Sequence, residues 1–154
     1  MQAAIDGRNP TVLAELEHAF AVIGDVQFLP GYSLALTKRP GVDRLSDLPR
    51  PERVAYLADA DLVATAVESV CQSLDRVYRR VNVEILGNSD AFLHTHIWPR
   101  YSWEPPDLMH HPVWLYPADR WSDPATALGR QHNSLRSALT AELARLREVM
   151  APGT

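Results

Sequence analysis

The chain has 154 residues, of which 46% are hydrophobic, and a formal net charge of −4. Its scattered basic residues exclude the strong positive field that binding to double-stranded nucleic acid requires, so nucleic acid is not an expected partner. One cysteine excludes an intrachain disulfide. No uncharged apolar run approaches the ~18 residues of a membrane span, and the first residues do not resemble a secretion signal. We therefore expect a soluble, cytoplasmic protein without a membrane partner.

The first predicted element is a helix that begins at residues 9–11, "NPT", and ends at residues 24–25. Five apolar residues follow its start at helical spacing: Val12, Leu13, Leu16, Phe20 and Ile23. Two short antiparallel strands are predicted next, at residues 26–29 and 32–38, and Pro30-Gly31 between them is typical of a turn.

Residues 39–51 are rich in proline and glycine, which indicates a loop. The strongest amphipathic pattern of the chain then predicts a long helix over residues 52–79. After it, residues 81–86 and 91–98 are predicted strands, and the turn residues 87–90 between them indicate a hairpin-like pair.

Residues 99–124 hold six of the twelve prolines and three of the four tryptophans, without periodicity. Such a long irregular segment is a lid, a binding loop, an interface or a segment packed on the core. A last helix is predicted at about residues 125–149. We predict a single domain over residues 1–154, with its core at about residues 12–101. Strands that cluster as hairpins between helices favour an α+β fold with an antiparallel sheet.

The strand over residues 91–98 contains a His-x-His pattern. Residues two apart on a strand share a face, so one face carries Phe92, His94, His96 and Trp98. Spacing alone leaves three interpretations open. The imidazoles are hydrogen-bonded fillers, or two ligands of a transition metal, or a nucleophile beside an anion-binding or acid–base group. The candidates for a third and fourth metal ligand are His110, His111, His132 and Glu84, and none has a spacing that singles it out.

Two separated motifs resemble the histidine triad (HIT) superfamily. "GNSDAFLHTHIWPR", residues 87–100, is similar to the family's signature of alternating histidines and apolar residues that closes with Pro-Arg. "LPGYSLALTKRPGVDRLSDL", residues 29–48, looks like its Pro-Gly-His, strand and Leu-x-Asp-Leu segment. The Pro-Arg ending is nearest to dinucleoside polyphosphate hydrolases of the fragile-histidine-triad type. The resemblance implies a HIT-like α+β fold over about residues 12–101.

The resemblance also implies a reaction. In the family, the central histidine attacks the α-phosphorus of a nucleotide conjugate, and water then releases a nucleoside monophosphate from the nucleotidyl-histidine. His94 holds the central position, and His96 is expected to contact phosphate oxygens, as a cation, or to assist the leaving group. Asn88 and Ser89 stand at positions that lie near phosphate in the family, and N–H groups of this turn are expected to face the same oxygens.

The chain departs from the family pattern at several positions. Phe92 stands where the first triad histidine is expected, and Tyr32 replaces the histidine of the Pro-Gly-His motif. The residue that holds ribose hydroxyls is expected near Gly24, and Asp25 is the adjacent candidate. Arg100 either faces phosphate or pairs with an acid such as Glu104. These departures affect rate and substrate choice more than reaction type.

The resemblance implies a hydrolase or nucleotidyl transferase that acts on a P–O–P or P–N bond of a small nucleotide substrate, with no cofactor and no metal. It also implies a homodimer. Trp98 and the tryptophans of residues 99–124 are expected either to stack on a base or to pack in the core or interface. Two alternatives stay open: a nucleotide- or phosphate-binding protein without turnover, and a histidine-based zinc-binding protein.

Overall fold

Five antiparallel strands form one sheet. The structure, a computed structural model, describes residues 2–88 and 90–150. The strands are β1 (Val12–Glu15), β2 (Ala19–Ile23), β3 (Ser33–Thr37), β4 (Tyr78–Glu84) and β5 (His94–Tyr101). Their order across the sheet is β1-β2-β3-β5-β4, so β5 has a neighbour on each side and β4 lies at one edge.

The described residues also form four α-helices: α1 (Gln2–Ile5), α2 (Arg50–Leu74), α3 (Ala118–Ser122) and α4 (Asn133–Met150). The two long ones, α2 and α4, pack against each other, and α2 also covers one face of the sheet. Each long helix contributes a row of buried apolar side chains to the main core, among them Val63, Val67 and Val70 from α2 and Leu135, Leu139, Leu143 and Leu146 from α4. Within the described residues, none of the helices is both long and apolar enough to cross a bilayer.

The predicted α+β fold is confirmed. Both predicted long helices form, and each is shorter than predicted. Helix α2 begins at Arg50 and ends at Leu74 rather than at residue 79, because the Asp75 carboxylate accepts the Val77 N–H and turns the chain into β4. Helix α4 begins at Asn133 rather than near residue 125. The residues before it run back along the core, where the Leu128 N–H donates to the Asp25 carbonyl.

The predicted helix over residues 9–24 is wrong, because this stretch forms the β1–β2 hairpin. The Asn9 side chain accepts the Thr11 N–H in a local turn that leads into a strand instead of capping a helix. All five residues of β2 are buried, so the strand lacks the alternation of polar and apolar residues that marks a half-buried strand. The Asp59 carboxylate then accepts the N–H groups of His18 and Ala19 at the hairpin turn.

The other strands are near their predicted places, with one exception. Residues 26–29 form no strand and make only an isolated bridge at Val26, whereas the prediction over residues 32–38 is confirmed as β3. The hairpin-like pair is confirmed as β4 and β5, displaced by about three residues in opposite directions. Residues 102–124 are largely irregular, with a short 3-10 turn at Val113–Leu115 followed by α3.

The face of the sheet that α2 leaves uncovered carries both imidazoles, and we call it the imidazole face. Register pairs His94 with Leu36 and His96 with Leu34, and these leucines pair in turn with residues of β2. The paired side chains form a second apolar cluster beside the histidines, made of Phe20, Val22, Leu34, Leu36, Val12 and Phe92. Ala4 of α1 lies on this cluster, so α1 covers part of the imidazole face.

Candidate active site

His94 and His96 lie side by side on β5. Their ring centroids are 4.6 Å apart and the ring planes are nearly perpendicular. Both residues are buried, with 4% and 7% of their surface exposed. The prediction that residues two apart would present both imidazoles on one face is confirmed by this geometry.

The tautomer of His94 follows from its hydrogen bond to the backbone. Nδ1 of His94 lies 2.8 Å from the carbonyl oxygen of Phe92. A carbonyl oxygen can only accept, so Nδ1 carries the proton and donates it. The neutral ring therefore keeps a lone pair on Nε2, which is the arrangement that a nucleophilic histidine needs.

His96 is held by a phenol. The Tyr32 hydroxyl lies 2.8 Å from Nδ1 of His96. Burial, and to a lesser extent the neighbouring His94, lowers the pKa of His96 to about 4. Burial, with the nearby carboxylates of Asp25, Glu84 and Asp90, raises the pKa of Tyr32 well above its ordinary range. Near pH 7 the hydroxyl therefore keeps its proton, and the lowered pKa of His96 favours the neutral ring over the expected cation.

Packing fixes the position of Tyr32. Its ring stacks on Trp98 with centroids 3.4 Å apart and planes 5° from parallel. On its other side lies Gly24, where an added Cβ would be only 2.2 Å from the ring. Gly24 is thus needed for a close approach and offers no side chain to a ligand. Trp98 is fully buried, so it packs in the core and does not stack on a base.

A pocket of about 200 Å³ opens at the two histidines. Its lining is Leu86, Asn88, Asp90, His94, His96 and Trp114. Asn88 thus lines the same pocket as the two histidines, and its contact with phosphate stays a prediction. Ser89 lies outside the described residues. Asp90 was not predicted as a site residue, whereas Trp114 is one of the tryptophans that were expected either to stack on a base or to pack. Asp90 is the last residue of the predicted turn, and the density of tryptophans after residue 99 was the one sequence signal for Trp114.

Trp114 covers His96 at the edge of this pocket. The two ring centroids are 4.7 Å apart with planes 79° from parallel, and Trp114 stacks on Trp121. Its indole Nε1–H donates to the Glu84 carboxylate over 2.9 Å. The irregular segment of residues 102–117, which we call the Trp114 segment, thus packs onto the imidazole face instead of projecting from the protein.

Arg100 anchors the Trp114 segment and does not line the pocket. Its guanidinium pairs with the buried Glu104 carboxylate over 2.8 Å and donates to three carbonyl groups, those of Leu108, Met109 and His111. Glu104 also accepts the Tyr101 N–H and the Tyr116 hydroxyl. Of the two roles considered for Arg100, the ion pair with Glu104 is the one that the structure shows.

Asp25 is not brought into the pocket either. It is exposed, and its backbone carbonyl accepts from Leu128. Its carboxylate is close enough to affect Tyr32 electrostatically, but it does not line the space between the imidazoles and Trp114.

The metal interpretation finds no support in the described parts of the chain. Over residues 2–88 and 90–150, no three His, Cys, Asp or Glu side chains cluster closely enough to hold an ion. His110 and His111 are exposed on the Trp114 segment, and His132 accepts the Gly129 N–H before α4. Within these residues, no further His, Cys, Asp or Glu is close enough to the β5 imidazoles to complete the ligand set of a zinc site.

Comparison with known proteins places the chain among histidine triad proteins. Residues 8–103 match the HIT domain model. Similar solved structures include a histidine triad protein from Marinobacter aquaeolei, with a TM-score of 0.71, 20% identity and coverage of 88% of this chain and 89% of that one. No curated protein matches the sequence.

Two further structures show the same fold. One is a hypothetical histidine triad nucleotide-binding protein from Sulfolobus tokodaii, with a TM-score of 0.65, 13% identity and coverage of 96% and 93%. The other is a zinc-bound histidine triad family protein from Mycobacterium smegmatis, with a TM-score of 0.62, 20% identity and coverage of 96% and 94%. At these identities the likeness shows the fold alone.

Proposed function

The chain belongs to the HIT domain family, and from this premise we propose that it is a nucleotide hydrolase or nucleotidyl transferase. The substrate is a nucleotide conjugate with a P–O–P or P–N bond, of which a dinucleoside polyphosphate is the model. His94 is the nucleophile, and His96 assists the leaving group through a hydrogen bond. Asn88, Ser89 and the turn around them lie near the phosphate oxygens in this proposal. No cofactor takes part.

The tautomer of His94 supports this proposal most directly. Because Nδ1 donates to the Phe92 carbonyl, Nε2 has the free electron pair that attacks phosphorus. The new bond is N–P, and the bond to the leaving group breaks with its electron pair on the leaving atom. Water then attacks the phosphorus, the N–P bond breaks, and the pair returns to Nε2. The products are a nucleoside monophosphate and the released group.

His96 is the residue that assists the leaving group. If the Tyr32 hydroxyl donates to Nδ1, the proton of the neutral imidazole lies on Nε2, the nitrogen that borders the pocket. This N–H can donate a hydrogen bond to the leaving atom, which departs as an anion, and the proton of the attacking water in the second step leaves with the products. Phe92, at the place of the first triad histidine, supports His94 through its carbonyl and through a ring centroid 4.8 Å away.

Mass spectrometry of the intact protein tests the proposal. His96→Ala protein incubated with nucleotide conjugates is expected to gain the mass of one nucleotidyl group, and His94→Ala protein is expected to gain none and to lose hydrolysis. His18→Ala, a histidine substitution at the β1–β2 turn, is the matched control and should keep full turnover. Undiminished hydrolysis in folded His94→Ala protein would refute the nucleophile. Nucleotide binding without adduct or turnover would favour the alternative of a binding protein.

We further propose that the protein is a homodimer. The edge strand β4 carries Val83, which is 51% exposed, and Ile85 follows it at 37%. Helix α2 adds the exposed Val54 and Leu57. Exposed apolar side chains on an edge strand and a neighbouring helix are typical of a surface that a second copy covers.

A further inference from the structure

A second pocket lies on the imidazole face, beyond Trp114. It has a volume of about 300 Å³ and is bordered by the strand β4 and the Trp114 segment. Its charged and titratable lining residues are Arg79, Arg80, Glu84, Arg100, His110 and His111. Register shows how it relates to the histidines, because Glu84 is opposite His96 and Arg80 is opposite Arg100, so paired side chains share this face.

Two arginines of this second pocket, Arg79 and Arg80, are not paired with acidic side chains. The Arg80 side chain makes no ion pair or hydrogen bond within residues 2–88 and 90–150, and the Arg79 side chain donates only a long bond of 3.4 Å to the Met109 carbonyl. The one carboxylate in the lining, Glu84, accepts from Trp114. Arg100 is neutralised by Glu104. The exposed guanidinium groups of Arg79 and Arg80 therefore give this pocket a positive charge that no acidic side chain neutralises.

The pocket at the histidines has the opposite character. Its described lining contains no arginine or lysine, and Asp90 is its one carboxylate. A substrate with several anionic groups therefore finds no guanidinium or ammonium there. On the His96 side of this pocket, the described arginines without an ion pair are Arg79 and Arg80. Another arginine without an ion pair, Arg53, lines a separate pocket at His94. His96 and Arg100 are four positions apart on β5, so their Cα atoms lie about 13 Å apart.

We propose that Arg79 and Arg80 form a second subsite that binds a phosphate group on the distal half of the nucleotide conjugate. The inference rests on the proposed function, because it assumes that the reacting phosphorus lies at His94. The guanidinium fork suits phosphate oxygens, and the exposed face of Trp114 lies between the two pockets. The subsite thus selects conjugates whose leaving group is itself charged.

Paired substrates test the subsite. Diadenosine tetraphosphate has a charged leaving group, and the 4-nitrophenyl ester of adenosine monophosphate has none beyond the reacting phosphate. The double substitution Arg79→Gln and Arg80→Gln is expected to raise KM for the tetraphosphate about 10-fold or more and to leave kcat and the nitrophenyl ester unaffected. Arg147→Gln, an exposed arginine on α4, is the matched control. An equal effect on both substrates, or none on either, would overturn the subsite.

Calorimetry separates this proposal from the reaction itself. Inorganic tripolyphosphate is expected to bind to the unmodified protein and to Arg147→Gln, and at least 10-fold more weakly to the double variant, with a difference that shrinks as salt increases. Equal binding to all three proteins would also overturn the subsite. Loss of tripolyphosphate binding with an unchanged KM for the tetraphosphate would assign the site to free anions and reject its role in substrate choice. Absence of any nucleotidyl adduct would count against the reaction and leave the anion measurement to decide the subsite.

Discussion

At the scale of single residues, each imidazole of the site is held by a single hydrogen bond. His94 is set by one backbone carbonyl and His96 by one phenol, and the phenol is in turn fixed between Trp98 and Gly24. Because these contacts are close and buried, a change of one methyl group or one proton is large enough to disturb them.

Gly24→Ala should displace Tyr32. The added methyl group would lie 2.2 Å from the Tyr32 ring, which is packed against Trp98 on its other side and cannot retreat. We expect the free energy of unfolding to fall by roughly 1–3 kcal/mol, measured by urea denaturation. Gly87→Ala, where an added Cβ meets no atom within 4 Å, is the control. Equal stability of the two variants would contradict the close approach.

His96 should make the protein less stable in acid. Its pKa is about 4 in the folded protein and 6.5 in the reference state. Between these values the unfolded chain binds a proton that the folded protein does not, so stability rises with pH over this window and is lost as pH falls through it. We expect roughly 1–3 kcal/mol from this group between pH 7 and pH 4.

The measurement compares urea unfolding of the unmodified protein with that of His96→Gln at pH 4, 5, 6 and 7. Subtraction removes the carboxylates that titrate in both proteins, so the difference should grow towards neutral pH. Parallel curves would show that His96 titrates normally in the folded state.

At the scale of elements, the sequence predicted what local patterning determines. Helix α2 and the four leucines of α4 were predictable because one face of each helix is buried, and both imidazoles were predictable because they share a strand. Strand β2 was not predictable, because both of its faces are buried and its residues therefore do not alternate between polar and apolar. The contact of Trp114 with His96 joins residues 18 apart through a segment without periodicity, so only the tertiary structure shows it.

Glu104→Gln should release the Trp114 segment. The change leaves the Arg100 guanidinium buried with no carboxylate and weakens the bonds that Glu104 accepts from Tyr101 and Tyr116. Breaking one partner of a buried ion pair costs roughly 3–5 kcal/mol, which urea denaturation would detect. Glu142→Gln removes the surface pair with Arg145 and should cost no more than about 1 kcal/mol. A similar small loss in both variants would contradict the anchoring role of Glu104.

At the scale of the whole molecule, one core cluster draws residues from the sheet, α2, the Trp114 segment and α4. This continuity supports the proposal that the chain forms a single domain. It also leaves few apolar side chains outside, and several of those lie on β4 and on the outer side of α2.

Val83→Asp should convert the proposed homodimer into a monomer, because a carboxylate at the centre of an apolar interface loses its hydration without gaining a partner. Light scattering coupled to size-exclusion chromatography would show the mass fall by half. Val149→Asp, an exposed site near the end of α4, should leave the mass unchanged. An unmodified protein with the mass of one chain would refute the dimer.

The two imidazoles and Trp114, the tryptophan that covers His96, are held in place by different kinds of structure. The imidazoles belong to a strand that is hydrogen-bonded to β3 along one side and to β4 along the other. Trp114 belongs to a segment attached chiefly by side chains around one buried carboxylate. Substitutions in that segment can therefore alter the border of the pocket while both imidazoles keep their places. Under the proposed function, such substitutions would change which conjugates bind without moving the nucleophile.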